Sequence, residues 1–459
     1  MPPAFKQLTL SDLILNRKGS LTFRLILAAF GIALRLFFRR IETVNAAAVP
    51  RKGGLIFVLN HPNGLIDPAL VFTAMPRTIS FLAKSTLFQL PVISFLLRTV
   101  SALPLYRRID AGEDVSKNQK TFEACHDLLK RGGSIALFPE GVSHNSPKLL
   151  PAKTGAARIA LGTVASGDPI DIDIVPVGLY YTSKTTFRSE ALLHFGRPFA
   201  VERVELDIDG QPPRDAVRSL TAKIEDALRE VTINAETEAE LATANIAEQI
   251  FATAAGNENL GEKLDFLRNY IAENELRHGN ELRGRIHEYD DKLKTIGLDP
   301  AHLSLAQFSR WFVLKQSFIQ TWLLIFLFPF AVIGAVVHFP AYQLCKLFAR
   351  VYARHGADDI ASTAKVLAGM LFVPATWLII AIVFWLVAGW AAALASIPAS
   401  FLCGYAALYS LEEVVELQGW ARAIWLFLTN KERFLRLFVE RRDLQLELRE
   451  YDQISAADR

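Results

Sequence analysis

Asn60-His61-Pro62-Asn63-Gly64-Leu65-Ile66-Asp67-Pro68 sets an imidazole and a carboxylate with five residues between them, directly after the apolar run Gly54 to Leu59. An imidazole can take a proton from an alcohol near neutral pH. A carboxylate bonded to its other nitrogen fixes the tautomer and stabilises the imidazolium that forms. The pair is the raw material of a general base. GLIFVL reads as a short buried strand, and His-Pro followed by Asn-Gly forces a turn at its carboxyl end, which is where open α/β sheets place their chemistry. The same residues admit a structural reading, with Asp67 as a helix N-cap and Pro68 at the first helical position.

Three further segments carry residues suited to a polar ligand. Ala102-Leu-Pro-Leu-Tyr-Arg107-Arg108 puts paired guanidiniums at the end of a strand-like run, and arginine binds phosphate in bidentate fashion. Ser134-Ile-Ala-Leu-Phe-Pro-Glu140-Gly141 is a buried strand ending in a carboxylate that can orient a polyol hydroxyl, beside a glycine that lets backbone approach a ligand closely. Ile174-Val-Pro176-Val-Gly178-Leu-Tyr180 is a further strand with a Pro-x-Gly interruption, read as an edge or floor for a pocket. Solvated surface for the arginines and a plain turn for Pro-Glu-Gly are the structural alternatives. Gly141-Val-Ser143-His-Asn145 lacks the second glycine of a nucleophile elbow, which argues against a serine hydrolase.

These residues need a scaffold. Between Arg51 and about Phe199, β-rich runs (Leu55 to Asn60, Thr78 to Leu82, Ser134 to Phe138, Ile172 to Tyr181, Leu192 to Phe195) alternate with helical patterns starting near Pro68, Asn118 and Thr154. That alternation predicts an α/β domain, a sheet flanked by helices, over residues 50–200. Ser20 to Thr43, apolar but broken by Arg24, Arg35, Arg39 and Arg40, reads either as an amphipathic helix lying among lipid headgroups or as a helix packed on the domain, and residues 1–49 are assigned to it. Met1 to Arg17 does not read as a cleavable signal. Residues 201–310 read as an acidic helical segment.

The last third differs in kind. No charged residue falls between Lys315 and Lys346, nor between Lys365 and Glu412. About 20 apolar residues span the hydrocarbon core, so the second stretch predicts a two-helix hairpin turning near Gly389. The first spans once or is bent by Pro329 and Gly334 into a re-entrant pair. Basic residues at both flanks (Arg310 and Lys315; Lys346, Arg350, Arg354 and Lys365) favour an even number of crossings or a re-entrant loop. Residues 311–412 are read as membrane-embedded, and 413–459 as an amphipathic helix and tail leaving along the bilayer surface.

The formal net charge of +3 conceals a partition. Residues 1–200 hold 24 Lys and Arg against 13 Asp and Glu, and residues 201–310 hold 13 against 22. A basic first block suits an anionic lipid or a phosphorylated substrate. Nucleic acid is disfavoured, since no recognition helix, zinc-finger spacing or RNP-like strand is present. The three cysteines lie far apart with no ligand spacing, which points to no metal site and to a reducing compartment.

In order and spacing, NHPNGLIDP, ALPLYRR, FPEGVSH and IVPVGLYY resemble the four-block signature of the PlsC-like glycerol-3-phosphate and lysophosphatidate acyltransferase superfamily, over residues 50–200. The helical segment, uncharged stretches and tail resemble the membrane-bound fungal-type glycerol-3-phosphate/dihydroxyacetone-phosphate acyltransferases and their bacterial relatives. The resemblance implies a mixed sheet flanked by helices, a helical segment and a C-terminal helical membrane region. It implies acyl transfer from acyl-CoA or acyl carrier protein (acyl-ACP), used as co-substrate without any cofactor or metal, to the hydroxyl of a small phosphorylated acceptor, glycerol 3-phosphate or dihydroxyacetone phosphate, in phospholipid biosynthesis, with 1-acylglycerol 3-phosphate or another lysophospholipid as the alternative acceptor. His61 would be the base, oriented by Asp67, with no acyl-enzyme. Arg107 or Arg108 would bind the acceptor phosphate, and Glu140 and Gly141, with Asn63 and Ser143, would complete the substrate-binding set. Pro176 would be structural. The catalytic domain would lie on the cytoplasmic face of the membrane. Most of the superfamily has four residues between the His and the Asp; the five found here match the fungal-type branch. Ala102 stands where many members have glycine. The non-enzymatic alternative is a membrane protein with an inactive domain of this type.

Overall fold

The computed structural model describes residues 20–457 apart from 76, 108, 111, 166–169, 253–258, 278–279, 301, 304–309 and 354–357. Arg108 and Arg354 therefore lie outside the described residues. The chain divides into two compact units, the first comprising Met1–Asn234 with Tyr352–Val366 and the second Ala235–Val351 with Leu367–Arg459.

The first unit is built on a mixed sheet flanked by helices. Its elements run α1 (Leu21–Phe37), β1 (Arg40–Val44), β2 (Gly54–Leu59), α2 (Ile66–Ala74), β3 (Ser80–Lys84), α3 (Pro91–Thr99), β4 (Leu103–Leu105), α4 (Asn118–Lys130), β5 (Ser134–Leu137), α5 (Gly155–Val164), β6 (Ile172–Tyr181), β7 (Glu190–Phe195), β8 (Phe199–Ala200) and α6 (Arg214–Arg229). Sheet order is β1-β7-β6-β2-β5-β3-β4, with β8 also on β6. The strands from β6 across to β4 pair in parallel, whereas β6 meets β7 and β8 antiparallel. Every residue of β2 is buried, as expected of a parallel strand covered on both faces, where a continuous apolar run replaces alternation. Ile56, Val58, Ile135, Leu137, Ile172 and Ile174 share one core cluster with α4, α5 and α6; each such side chain contributes about 1.5–3 kcal/mol when fully buried. Because β2, β5, β4 and β6 run the same way, the segments after Leu59, Leu137, Leu105 and Tyr181 emerge at one edge of the sheet.

The structure revises several expectations. Ser20–Thr43 is helical only over Leu21–Phe37. Phe23, Leu27, Leu34 and Phe37 of α1 are buried while Leu21, Leu25 and Ile32 are exposed, and Arg40–Val44 is instead an edge strand parallel to β7. Arg39 and Arg40 pair with Glu190, so a partner on the neighbouring strand, not a helical face, accounts for them. Asp67 is not the N-cap of α2: Leu65 occupies that position and Asp67 lies within the first turn. Strand β6 is interior, not an edge. Pro176 falls between the β8 pairing at Ile174 and the β7 pairing at Val177, where no ladder bond is needed, and its carbonyl accepts from Gly196 N–H at 2.8 Å. The α/β unit also extends past residue 200. Helix α6 buries Val217, Leu220, Ile224 and Leu228 in the sheet core, a stripe at helical spacing.

The second unit is helical among its described residues: α7 (Glu238–Phe251), α8 (Leu260–Arg277), α9 (Asn280–Ile296), α10 (Arg310–Ala353), most of α11 (Asp358–Ala388), α12 (Trp390–Thr429) and α13 (Lys431–Ala457). The hairpin turn at Gly389 is present, with φ of +87°, and Trp377 meets Phe401 edge-on across it. These residues stand twelve positions before and after Gly389, so α11 and α12 run antiparallel. Helix α10 continues through Pro329 and Pro340 and forms no re-entrant pair. Neighbouring helices and local adjustments can satisfy the backbone groups that proline frees. Among the described residues, three helices, over Phe318–Val351, Thr363–Ala388 and Trp390–Thr429, are long and apolar enough to cross a membrane; the stretch between Lys315 and Lys346 accounts for one of them, where its flanking charges favoured an even number of crossings or a re-entrant loop. Helix α13 packs on the helices of its own unit: it buries Phe434, Leu437, Leu444 and Leu448, and its Arg441 guanidinium donates to the carbonyls of Ile250 and Ala252 at the end of α7.

Candidate active site

The turn after β2 is built to fix one histidine. Asn60 ties its side chain to β6 in both directions, donating to Leu179 O at 3.0 Å and accepting from Leu179 N–H at 2.7 Å. Gly64 adopts φ of +45°, Ile66 N–H donates to Asn63 O at 3.0 Å, and α2 starts at once. This compact turn absorbs the fifth residue between the pair. His61 Nδ1 lies 2.8 Å from Asp67 Oδ2.

Asp67 is fully buried and both oxygens of its carboxylate accept hydrogen bonds. Oδ2 also accepts from Asn63 N–H at 2.7 Å, and Oδ1 accepts from the Tyr181 hydroxyl at 2.5 Å. An ionised carboxylate only accepts, so in the neutral form of the imidazole Nδ1 carries the proton toward Asp67 and Nε2 keeps the lone pair. The imidazole stacks on Phe138 at 3.9 Å between ring centroids, within 10° of parallel, which fixes its plane. Burial, then the Asp67 charge and hydrogen bond, push the Tyr181 hydroxyl well above its ordinary pKa, so it remains a proton donor to Asp67. Sequence reasoning missed Tyr181. Its signal was a polar ring at the carboxyl end of the strand beside β2.

The Phe138–Gly141 segment holds this turn from outside. Glu140 is buried; Oε1 accepts from His61 N–H at 2.9 Å, while Oε2 accepts from Leu150 N–H at 2.9 Å and pairs with His144 Nε2. His144 N–H in turn donates to His61 O at 3.2 Å. Both backbone polar groups of His61 are thus fixed by residues 140–144, and Glu140 serves the chain itself. His144 was not among the expected site residues, although its i,i+4 spacing from Glu140 was readable.

Arg107, at the end of β4, reaches the same edge. Nε and Nη2 bind Asp110 at 2.9 and 3.0 Å, and Nη1 donates to Gly141 O at 2.6 Å. Three of its five N–H groups are engaged, leaving two for a ligand. Lys84 joins Asp110 at 3.0 Å. The Arg107 bond lowers the Asp110 pKa, opposed by partial burial and helped by Lys84. Gly141 has φ of +75°, and a Cβ there would lie 2.6 Å from Lys153 Nζ. Lys184 Nζ donates to His144 O at 3.3 Å. Arg107, Lys84, Lys153 and Lys184 therefore surround the turn with positive charge. Asn63 is fully buried within the turn, its Nδ2 3.4 Å from Lys184 O and its Oδ1 without a hydrogen-bond partner among the described residues. Ser143 is half-buried between Gly141 and His144. No cluster of metal-ligating side chains occurs among the described residues.

A neutral imidazole with a buried carboxylate behind it, an open Nε2 and a cationic rim can deprotonate a hydroxyl on an anionic molecule. Comparison with known proteins gives related chains. Residues 40–180 match the family model described as Acyltransferase, and residues 264–453 match that of the glycerol-3-phosphate acyltransferase 2 C-terminal domain. Glycerol-3-phosphate O-acyltransferase 2 of Saccharomyces cerevisiae is 27% identical over 56% of this chain and 37% of its own length. An uncharacterised acyltransferase of Schizosaccharomyces pombe is 24% identical over 68% of this chain and 59% of its own. A chloroplastic 1-acyl-sn-glycerol-3-phosphate acyltransferase of Brassica napus is 30% identical over 31% of this chain and 37% of its own. The chain spans less than two thirds of the length of each.

Proposed function

We propose that this chain, which matches the Acyltransferase family model over residues 40–180 and the glycerol-3-phosphate acyltransferase 2 C-terminal domain over residues 264–453, is a membrane-bound O-acyltransferase that moves a fatty acyl group from acyl-CoA or acyl-ACP to the hydroxyl of glycerol 3-phosphate. The observation that carries this reading is the 2.8 Å contact between His61 and the fully buried Asp67 at the mouth of a cationic rim. His61 Nε2 takes the acceptor hydroxyl proton as the oxygen attacks the thioester carbonyl. The tetrahedral intermediate collapses, the C–S bond breaks, and the thiolate leaves with the proton carried by the imidazolium. Asp67 stays ionised throughout and stabilises that imidazolium. No acyl-enzyme forms.

Arg107, with its two remaining N–H groups, and the lysines around it bind the acceptor phosphate and draw in an anionic carrier. Three apolar helices support membrane residence, with the catalytic unit on the cytoplasmic face, where acyl carriers are found. The acceptor assignment follows the matched C-terminal domain description and the yeast relative. A second reading, acylation of 1-acylglycerol 3-phosphate, is favoured by the local likeness to the plant enzyme. Purified protein given acyl-CoA and a mixture of acceptors should release free thiol and yield lysophosphatidate by mass spectrometry. His61→Ala should abolish both. Full turnover in that variant would overturn the mechanism, and phosphatidate as the product of the mixture would select the second reading.

A further inference from the structure

Besides His61 N–H, which Glu140 holds, a second backbone amide of the catalytic turn is satisfied from far along the chain. Leu65, the N-cap residue of α2, sits between Gly64 and Ile66, and its N–H donates to Thr363 Oγ1 at 3.1 Å. Thr363 is buried and is the first residue of the apolar span Thr363–Ala388. Two residues on, Lys365 Nζ donates to Thr185 O at 2.7 Å. Thr185 adjoins Lys184, whose carbonyl faces Asn63 Nδ2 and whose Nζ meets the carbonyl of His144. Residues 352–366 belong to the same compact unit as the catalytic turn. The start of an apolar span therefore grips the site at two points: the turn that carries Asp67, and the loop after β6.

We propose that Thr363 is a positioning residue for the His61–Asp67 pair, its hydroxyl setting the geometry of the catalytic turn. The proposal rests on the acyltransferase reading for its kinetic consequence but not for its structural one. Asp67 lies two residues beyond Leu65, in the first turn of α2, and reaches His61 only because the Asn63–Ile66 turn is tight. An amide that loses its partner there loosens the turn and lets Asp67 turn away from His61.

Full-length protein in phospholipid vesicles is compared as wild type, Thr363→Val and Thr363→Ser. Valine keeps the shape and removes the acceptor oxygen; serine restores the oxygen. Hydrogen exchange of the peptide spanning residues 60–67, which needs no turnover, should be at least several-fold faster in Thr363→Val and near wild type in Thr363→Ser. In acyl transfer, Thr363→Val should lose about tenfold in kcat with KM for the acceptor nearly unchanged, and Thr363→Ser should recover it. Equal exchange and equal kcat in wild type and Thr363→Val would overturn the proposal, as would a serine variant as impaired as the valine one. Wild type inert toward every acceptor, with the exchange difference intact, would refute the acyltransferase reading and leave the positioning contact standing.

Discussion

Asp67, itself fully buried, accepts three hydrogen bonds, and each donor does a different job. Asn63 N–H fixes the turn, His61 Nδ1 receives its tautomer, and Tyr181 aligns the carboxylate while staying protonated. Asp67→Asn keeps the shape but removes the charge that stabilises an imidazolium, so kcat should fall by about 10²–10⁴-fold, the range for general acid–base catalysis. Tyr181→Phe deletes a hydrogen bond to a charged group, worth about 1.5–3 kcal/mol, or roughly ten- to a hundredfold in rate. The order Asp67→Asn below Tyr181→Phe below wild type, measured as kcat, tests that division of labour; a tyrosine variant as active as wild type would show the third bond to be idle. Asp110 carries a pH signature. Its folded pKa lies below the ordinary value, chiefly through the Arg107 hydrogen bond. The stabilisation is therefore complete above the unfolded value of about 3.9 and is lost only as pH falls through the lower folded value. The melting temperatures of wild type and Asp110→Asn should differ at neutral pH and converge in acid below that point.

At the scale of elements, what holds the site is close packing around parallel strands. A Cβ on Gly178 of β6 would sit 1.8 Å from the Val231 carbonyl oxygen just after α6. Backbone cannot yield as a side-chain tip does, so Gly178→Ala should cost at least the roughly 1–3 kcal/mol of overpacking, read as a fall in melting temperature of several degrees. Gly210→Ala, with nothing within 4 Å of the added carbon but φ of +68°, isolates the cost of conformation alone and should fall less. Cys125 of α4 reports on the same core. It is fully buried and burial pushes its thiol up to about 12, so maleimide should leave it unlabelled until the unit is unfolded. The strands that carry the site were legible in the sequence because β2 and β5 are apolar runs closed by Asn60 and Pro139, and β6 is apolar from Ile174 to Tyr181. Strand β1 was not, since an arginine-punctuated apolar segment fits a helix face as well as an edge strand. The His61–Asp67 pair was legible as a spacing, but its closure depended on a turn whose partners, Tyr181 and Thr363, lie 114 and 298 residues away. No local pattern encodes contacts of that range.

For the molecule as a whole, the apolar helices must find reasons to associate that the hydrophobic effect does not supply within lipid. Large apolar side chains such as Phe326, Phe328, Trp385, Leu386 and Val387 face outward, as lipid-facing residues do. Small residues meet inside: a Cβ on Gly334 of α10 would lie 1.9 Å from the Cys403 carbonyl oxygen of α12, and one on Gly404 would lie 2.7 Å from the His338 ring. His338 is also a polar hub, with Nδ1 2.8 Å from Gly334 O and Nε2 accepting from Trp377 Nε1 of α11 at 2.8 Å. Two devices thus join the three helices, and magnitudes separate them. Interhelical hydrogen bonds within membranes average about 0.6 kcal/mol, so Trp377→Phe, which keeps the ring contact with Phe401, should change thermal stability in detergent only slightly. Gly334→Leu forces two helix backbones apart and forfeits the contacts along both, so it should lower the melting temperature far more, with α10 becoming accessible to protease. If Trp377→Phe proved the more damaging, the His338 hub rather than small-residue packing would be what assembles the bundle.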